Sequence, residues 1–302
     1  MRTEERQQYR ERKREKERRR RIRRRRRLLR LYSLVLVLCV LTLGVWGVSR
    51  WMQKDSPLSY EISAPVVRSE EEALETLQNM AKGSRDLQKI LDRAEEYPPE
   101  LLAALANNLE MLEFVSGYLE QSGSAQDGAS SSPQLTAKEE KERYPLFLQW
   151  DQRWGYLPYG NSNIGMSGCG PTCLSMAVHA LTGDNSVTPA SLARFSEEQG
   201  YYVEGTGTSW SLMTDGAAAW GLTGKELSLD ESIMKRELDA GRLIICAMGP
   251  GDFTTAGHFI LIYGYTESGF QVNDPNCHAR SGRVWTYEEL SSQIRNLWSY
   301  QV

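Results

Sequence analysis

The sequence predicts an α+β domain over residues 144–302, preceded by a single transmembrane helix and a helical stalk. Three observations support this organisation. A predicted helix directly after Cys169 is followed, later in the chain, by apolar runs typical of antiparallel strands. A run of 19 uncharged residues near the N-terminus has the length of a membrane span. The segments between these two parts have helical periodicity. A helix that carries a cysteine and packs on an antiparallel sheet gives a two-layer domain.

Charge is distributed unevenly along the 302 residues. Residues 1–30 carry 17 Lys and Arg against 5 Asp and Glu, a net charge of +12, whereas the remainder carries 19 against 34, a net charge of −15. A basic block of this kind is typical of a nucleic-acid-binding tail. The apolar run next to it favours another role, so we expect no nucleic-acid partner. Residues 1–30 are interpreted as a cytoplasmic tail that contacts anionic membrane lipid.

Residues 31–49 form the predicted membrane span. The run is mostly Leu and Val and is bounded by Arg30 and Arg50. At about 1.5 Å per residue, it is just long enough to cross the hydrocarbon core of a bilayer. A cleaved signal peptide is the alternative, but the run is long for a signal-peptide core and no clear cleavage site follows. The sequence therefore favours an uncleaved signal anchor in the cell membrane. Because the arginines stay in the cytoplasm, residues 51–302 are predicted to be extracellular.

Residues 50–121 are the predicted extracellular helical stalk. A capping box at Ser69 starts its first helix and Gly83 ends that helix. A second helix is predicted over residues 84–96. Leucines at helical spacing then predict a third helix, which contains Leu101, Leu102, Leu105, Leu109 and Leu112. These helices are expected to form a small bundle or to pack on the following domain. Residues 122–143 are rich in Gly, Ser and charged residues and are predicted to be a disordered linker.

Cys169 lies between two glycines, directly before the predicted helix. Pro171 suits the first helical position and Gly183 ends the helix. The positive end of a helix dipole favours a thiolate. Glycines on both sides of the cysteine would let the backbone of a substrate approach. Cys169 is therefore the candidate nucleophile, and a small residue in a tight turn is the alternative interpretation.

Of the three histidines in the sequence, His258 is the best candidate for a general base. It opens an apolar, aromatic and β-branched run that predicts a buried strand, which would hold the imidazole rigidly. His179 lies ten residues beyond Cys169 in the same predicted helix and is interpreted as structural. His278 lies in a polar loop. A histidine that is merely hydrogen-bonded in the core is the alternative for His258.

Asp274 is the candidate residue that orients this base. A turn at residues 266–269 leads into a return strand over 270–273, which would pair with the His258 strand and bring Asp274 near the imidazole. A carboxylate in that place fixes the tautomer and stabilises the imidazolium. Asn276 is a weaker candidate for the same role. An Asp-Pro turn without a further role is the remaining alternative.

Other segments complete the predicted domain. The glycine-rich stretch 205–210 lacks the lysine and spacing of a phosphate-binding loop. It is interpreted as a turn that caps a helix at Ser209 and as a wall of the substrate cleft. Residues 230–240 predict an amphipathic helix and residues 243–248 a buried strand. A capping box over residues 286–289 predicts the last helix.

Five short motifs in this order resemble the C39-like peptidases, which are papain-like cysteine peptidases related to enzymes that process bacteriocin leaders. They are QWDQRWG at 149–155, YG at 159–160, GCGPT at 168–172, GHF at 257–259 and NDP at 273–275. The resemblance covers residues 144–302 and implies a papain-like fold with Cys169 as nucleophile, His258 as base and Asp274 as orienting residue. It also implies that the Gln149 side-chain amide and the Cys169 N–H form the oxyanion hole.

The remaining cysteines predict no additional chemistry. Cys39 lies in the predicted membrane span, and the others are Cys169, Cys173, Cys246 and Cys277. Their low density predicts mostly free thiols, and this indicates a bacterial cell envelope of the Gram-positive type that does not enforce disulfides. The competing chemistry is a metal site built from these thiols with His258 and His278. Its spacing matches no zinc motif, so neither a metal nor a cofactor is predicted.

The sequence therefore predicts a membrane-anchored, extracellular cysteine peptidase that hydrolyses a peptide or amide bond of a peptide or protein substrate through a thioester intermediate. Two alternatives remain open. One is a binding module on an inactive peptidase fold. The other is a hydrolase of cell-wall peptides, although an acidic ectodomain would repel anionic wall polymers. The sequence does not predict the cleavage specificity or the oligomeric state.

Overall fold

The computed structural model describes residues 63–121 and 133–302, which contain eleven α-helices and ten strands. The helices are α1 (Glu70–Met80), α2 (Arg85–Leu91), α3 (Pro99–Asn107), α4 (Leu112–Gln121), α5 (Ile164–Ser167), α6 (Cys169–Thr182), α7 (Pro189–Glu198), α8 (Asp215–Ala218), α9 (Glu231–Asp239), α10 (His278–Ser281) and α11 (Tyr287–Ser291). The strands are β1 (Pro158–Tyr159), β2 (Ser162–Asn163), β3 (Tyr202–Val203), β4 (Gly207–Thr208), β5 (Thr223–Glu226), β6 (Leu243–Met248), β7 (His258–Thr266), β8 (Gly269–Asn273), β9 (Val284–Trp285) and β10 (Ile294–Gln301).

The predicted basic tail and membrane span, residues 1–49, lie outside the described residues. Across the two described ranges, no helix combines the length and the apolar character that a membrane crossing needs.

Six strands form the antiparallel sheet of the C-terminal domain, in the order β5-β10-β6-β7-β8-β9. All six residues of β6 and the first five residues of β7 are buried. Residues 243–248 of β6 and 259–262 of β7 are continuous apolar runs, as expected of strands that are covered on both faces of a sheet. The two buried strands predicted from these runs are confirmed.

The register of the sheet brings the two polar ends of β7 and β8 together. His258 begins β7 and pairs with Met248 of β6. Further along the same strand, Leu261 pairs with Asn273, the last residue of β8. The chain therefore leaves the sheet at Asp274 close to the place where β7 begins.

Helix α6 forms the second layer and packs against β7. Its residues from Gly170 to His179 are all buried, and Cys173, Leu174, Met176, Ala177 and Val178 belong to the core of the domain. Gly183 ends the helix with a φ of 73°, a left-handed conformation that favours glycine. The α+β character and the predicted helix at Cys169 are confirmed.

Residues 69–121 form a helical module, which consists of helices α1 to α4 and has its own apolar core. Tyr156, Trp150 and Met166 of the C-terminal domain pack into that same core. The module is therefore not a stalk that stands apart, because part of its core is supplied by the domain. Of the two arrangements expected from the sequence, a bundle or packing on the domain, the structure combines both.

The third helix predicted in the module is two helices in the structure. Helix α3 ends at Asn107, and a 3₁₀ turn over Leu109–Met111 precedes α4. Asn108 lies between them in an extended conformation, and its side chain accepts a hydrogen bond from the Glu110 N–H. Asparagine competes with helical hydrogen bonding through contacts of this kind. The leucine spacing concealed this break because the apolar face continues across it.

The C-terminal domain begins before residue 144. Residues 122–132 of the predicted disordered linker lie outside the described residues, but residues 133–143 are ordered. Leu135 is buried in the domain core. Arg153 donates hydrogen bonds to the Gln134 carbonyl and to both carboxylate oxygens of Glu139. Among the charged residues of this stretch, Glu139 forms an ion pair with Arg153 of the domain, and the others are exposed. Leu135 and this ion pair therefore hold residues 133–143 on the domain.

Candidate active site

Cys169 is the first residue of α6 and lines a cleft in the surface of the C-terminal domain. Helix α5 ends two residues earlier, and Gly168 joins the two helices. The first N–H groups of a helix have no partner within the helix and carry the positive end of its dipole. Cys169 therefore lies at the positive end of the α6 dipole.

The glycines beside Cys169 are required by internal packing. A Cβ on Gly168 would lie 2.6 Å from the side chain of Ile164, and one on Gly170 would lie 2.8 Å from the side chain of Thr208. The interpretation that both glycines leave room for a substrate backbone is therefore wrong, because other parts of the domain fill that room. Gly257, beside the candidate base, lines the cleft and has no atom of the described structure within 4 Å of the position of its missing Cβ.

His258 lies between Cys169 and Asp274. Its side chain is 8% exposed, and its Nε2 is 2.7 Å from Oδ1 of Asp274. Burial by itself would lower the pKa of His258. The negative charge of Asp274 and hydrogen bonds to Asp274 and Cys169 outweigh this effect and raise the pKa to about 9. The imidazolium form is therefore stabilised at neutral pH.

Asp274 is fully buried and each of its carboxylate oxygens accepts hydrogen bonds. Oδ1 accepts from His258 and from the Asn276 N–H, and Oδ2 accepts from Nε of Arg280 at 2.6 Å. Burial favours the neutral acid, but the two cationic neighbours prevail and lower the pKa of Asp274 below its ordinary value. The Asp274 carboxylate therefore contacts the imidazole of His258. Asn276 contributes its backbone N–H, which donates to the same carboxylate.

Arg280 is the residue of the site that sequence reasoning missed. It lies in the short helix α10, is 2% exposed, and forms an ion pair with Asp274. The sequence around it is polar and suggests a solvated loop. An arginine six residues after a candidate aspartate gives no signal by itself, because only the fold of the intervening turn directs it back to the carboxylate.

Gln149 is buried and is not among the residues that line the cleft. Its Nε2 donates to the Gly165 carbonyl at 2.8 Å, and its backbone N–H donates to the Pro275 carbonyl at 2.7 Å. Its Oε1 is buried without a hydrogen-bond partner. The amide is therefore fixed beside the turn that leads into Cys169.

The cleft has a volume of about 540 Å³. One wall is formed by the β3–β4 hairpin and the half-exposed Trp210, as predicted for the glycine-rich stretch, and the opposite wall by the segments that flank the start of β7. The residues that line the cleft include Asn161, Met166, Ser167, Cys169, Tyr202, Gly205, Thr206, Gly207, Thr208, Trp210, Met248, Gly249, Pro250, Gly257, His258 and Arg295. Arg295 is a cation in this lining, and none of the described residues that line the cleft is an acid.

The other two histidines lie away from this site. His179 is buried in α6 and contacts the Glu142 carbonyl through Nε2, and His278 is exposed. Cys169, Cys173, Cys246 and Cys277 are free thiols. Within residues 63–121 and 133–302, no three Cys, His, Asp or Glu side chains are grouped closely enough to share a metal ion.

Cys169 at the N-terminus of α6 is thus brought to His258 at the start of β7, and His258 to Asp274 directly after β8. The sequence model of the Peptidase_C39 like family matches residues 141–302, more than half of the chain. The chain belongs to this family, and membership implies a cysteine-type peptidase, a hydrolase with a peptide or protein substrate.

The fold comparison includes a crystal structure of a protein described as a C39-like peptidase from Bacillus anthracis. The similarity covers 53% of this chain and 94% of that chain, with 14% sequence identity and a TM-score of 0.31. The curated proteins contain no match to this chain.

Proposed function

We propose that this protein is a membrane-anchored, outward-facing cysteine peptidase whose catalytic triad is Cys169, His258 and Asp274. The observation that carries the proposal is the hydrogen-bonded series from Asp274 through His258 to Cys169 at the surface of the cleft. Each member is held by a different structural element. The end of β8, the start of β7 and the start of α6 provide rigid supports for the three groups.

The proposed reaction is acyl transfer. The Cys169 sulfur attacks the carbonyl carbon of the scissile bond as a thiolate and forms a tetrahedral intermediate. The carbon–nitrogen bond then breaks while His258 gives its proton to the leaving amine, and a thioester remains on the sulfur. Water attacks this thioester and loses a proton to His258. The sulfur–carbon bond breaks, which releases the carboxylic acid and restores the thiolate–imidazolium pair.

Two N–H groups are proposed to stabilise the oxyanion of the intermediate. One is the Cys169 backbone N–H at the start of α6, and the other is on the side-chain amide of Gln149. An amide nitrogen has two hydrogens, and the hydrogen bond to the Gly165 carbonyl uses one of them. That bond and the 4% exposure of Gln149 support a fixed donor with little competition from water.

The membrane anchor is proposed from the sequence alone. The uncharged run at residues 31–49 and the basic block before it support a single span with the N-terminus in the cytoplasm. Residues 50–302 would then lie outside the cell, and the basic tail would contact anionic lipid on the inner surface. Protease protection of the tail in intact cells, with cleavage of the C-terminal domain, would test this orientation.

The triad is tested by the alkylation rate of Cys169 as a function of pH. The full-length chain in detergent would be treated with iodoacetamide, and the modified peptide would be quantified by mass spectrometry, beside His258→Ala. An ordinary thiol ionises at a pKa of about 8.5. Rapid alkylation well below that pH in the wild type but not in the variant supports the thiolate–imidazolium pair. Slow alkylation in both proteins favours a binding module.

The substrate class is tested separately. Turnover of casein-type peptides is compared with turnover of purified peptidoglycan, and this comparison separates a peptidase from a cell-wall hydrolase.

Activity should fall as the pH rises through about 9, because His258 must be protonated to donate to the leaving amine. Its pKa is raised from 6.5 to about 9. The stabilisation that the charged pair gives to the fold is therefore complete below 6.5 and is lost as the pH rises through about 9. A profile of kcat/KM against pH measures this fall in activity, which forms the basic limb of the profile. A basic limb near the ordinary histidine pKa of about 6.5 would contradict the assigned partners of His258.

Arg295 is expected to favour substrates that have an acidic side chain near the scissile bond. Its guanidinium lies against Gly249 in the cleft wall, where a carboxylate of the substrate can reach it. An exposed ion pair contributes about 1 kcal/mol, so Arg295→Gln should lower kcat/KM for acidic peptides about fivefold and leave neutral peptides unchanged. Competition between matched acidic and neutral peptides measures the effect. Arg194→Gln, on the exposed side of α7, is the control. An equal loss on both peptides would contradict the assignment.

A further inference from the structure

The helical module contacts the loop that follows the candidate triad aspartate. The Glu110 carboxylate accepts two backbone hydrogen bonds at the start of α10, from the His278 N–H at 2.6 Å and from the Ala279 N–H at 2.9 Å. Nearby, the Asn108 side-chain amide donates to the Asn276 carbonyl. These contacts join parts of the chain that are 168 residues apart in the sequence.

The same short helix holds the residue that supports Asp274. Arg280 follows Ala279 directly, and its Nε donates to Oδ2 of Asp274. The Arg280 carbonyl accepts a hydrogen bond from the indole of Trp285, so the backbone at this point is also fixed from the sheet side. A displacement of the start of α10 would therefore move the guanidinium relative to the carboxylate.

The helical module also packs against the residue that holds Gln149. Phe114 of α4 is buried, and its ring stacks on Tyr156 with 4.7 Å between the ring centroids. The same ring fills the space beside Gly165, where a Cβ would lie 2.4 Å from Phe114. The carbonyl of Gly165 accepts the hydrogen bond from Gln149. The module thus touches the supports of both Asp274 and Gln149.

We propose that Glu110 is a positioning residue of the peptidase, and that the helical module is an integral part of the active enzyme. Glu110 fixes the start of α10, Arg280 is fixed by that helix, and Arg280 sets the place of the Asp274 carboxylate against His258. The inference rests on the proposed function. It assigns to residues 69–121 a role in catalysis beyond the spacing of the domain from a membrane.

The test compares Glu110→Gln with wild type and with Glu113→Gln in the full-length chain in detergent. Glutamine keeps the shape of Glu110 but loses the charge, and its NH₂ group cannot accept a hydrogen bond. Glu113 lies in the same segment but is exposed. The readouts are kcat and KM on a peptide substrate, the pH profile of kcat/KM, and the midpoint of thermal unfolding.

We expect Glu110→Gln to lower kcat about tenfold with little change in KM, because a small displacement of a catalytic group lowers the rate steeply. The basic limb of the kcat/KM profile should move to lower pH, since a displaced Asp274 raises the pKa of His258 less. Glu110→Asp keeps the charge, and its kcat should lie between those of wild type and Glu110→Gln. Glu113→Gln should match wild type.

Two results would overturn the inference. One is a Glu110→Gln protein with the kcat and pH profile of wild type. The other is a lower unfolding midpoint with an unchanged pH profile, which would show a purely structural contact. A wild-type protein in which Cys169 is alkylated like an ordinary thiol at every pH instead overturns the proposed function, and that outcome is separate from the comparison of the variants.

Discussion

Replacing Cys169 with serine should abolish turnover while the fold is retained. Serine is nearly isosteric with cysteine, but its hydroxyl stays protonated where a thiol ionises, so the thiolate–imidazolium pair cannot form. Loss of the nucleophile in a triad lowers kcat by about 10⁴-fold or more. The measurement is kcat on a peptide substrate, with thermal unfolding as the check on the fold.

The matched control for this variant is Cys173→Ala. Cys173 lies one turn further along α6 and is buried in the core rather than in the cleft lining. Its loss should leave kcat unchanged, although removal of a buried sulfur costs some stability. Retained turnover in Cys169→Ser, with Cys173→Ala equally active, would remove the nucleophile from the proposed mechanism.

Replacing Asp274 with asparagine should damage both catalysis and stability. The amide cannot stabilise the imidazolium, and a comparable change in a serine triad lowers kcat by about 10⁴-fold. It also removes the carboxylate from the buried guanidinium of Arg280, and breaking a buried ion pair costs about 3–5 kcal/mol. Because the pKa of Asp274 is lowered in the folded protein, this stabilisation is present at neutral pH and is lost as the pH falls below about 4.

Urea unfolding at neutral and acidic pH, together with kcat, measures both effects of the Asp274 change. Asp215→Asn is the control, since Asp215 is exposed and outside the site. The difference in stability between wild type and Asp274→Asn should shrink towards acidic pH. An unchanged free energy of unfolding at neutral pH would contradict the buried ion pair, and an unchanged kcat would contradict the role of Asp274 as orienting residue.

The elements that could be predicted from the sequence are those whose signals are local. The helix that starts at Cys169 has a proline in its first turn and a glycine at its end, and β7 and β8 are apolar strands joined by a short turn. The contact between His258 and Asp274 follows from this hairpin, because the two residues lie only 16 positions apart on paired strands. The place of Cys169 opposite His258 was implied by the resemblance to the C39-like peptidases, since the two residues lie on different layers of the domain.

Periodicity was misleading where an apolar face continues across a break. The leucines of the helical module predict one helix, but Asn108 interrupts it and its side-chain amide bonds to the Asn276 carbonyl. Composition was misleading at residues 133–143, where the buried Leu135 and the ion pair of Glu139 with Arg153 hold the segment on the domain. In both cases the competing interaction comes from outside the segment.

The sequence by itself determined the α+β class, the cysteine helix and the hairpin that joins His258 to Asp274. Only the tertiary structure decided that Arg280 holds the far oxygen of Asp274 and that Glu110 holds the helix that carries Arg280. The physical reason is the range of the interactions. Caps, turns and periodic apolar faces depend on neighbours in the sequence, whereas the partner of a buried charge is chosen by packing between elements that no local pattern connects.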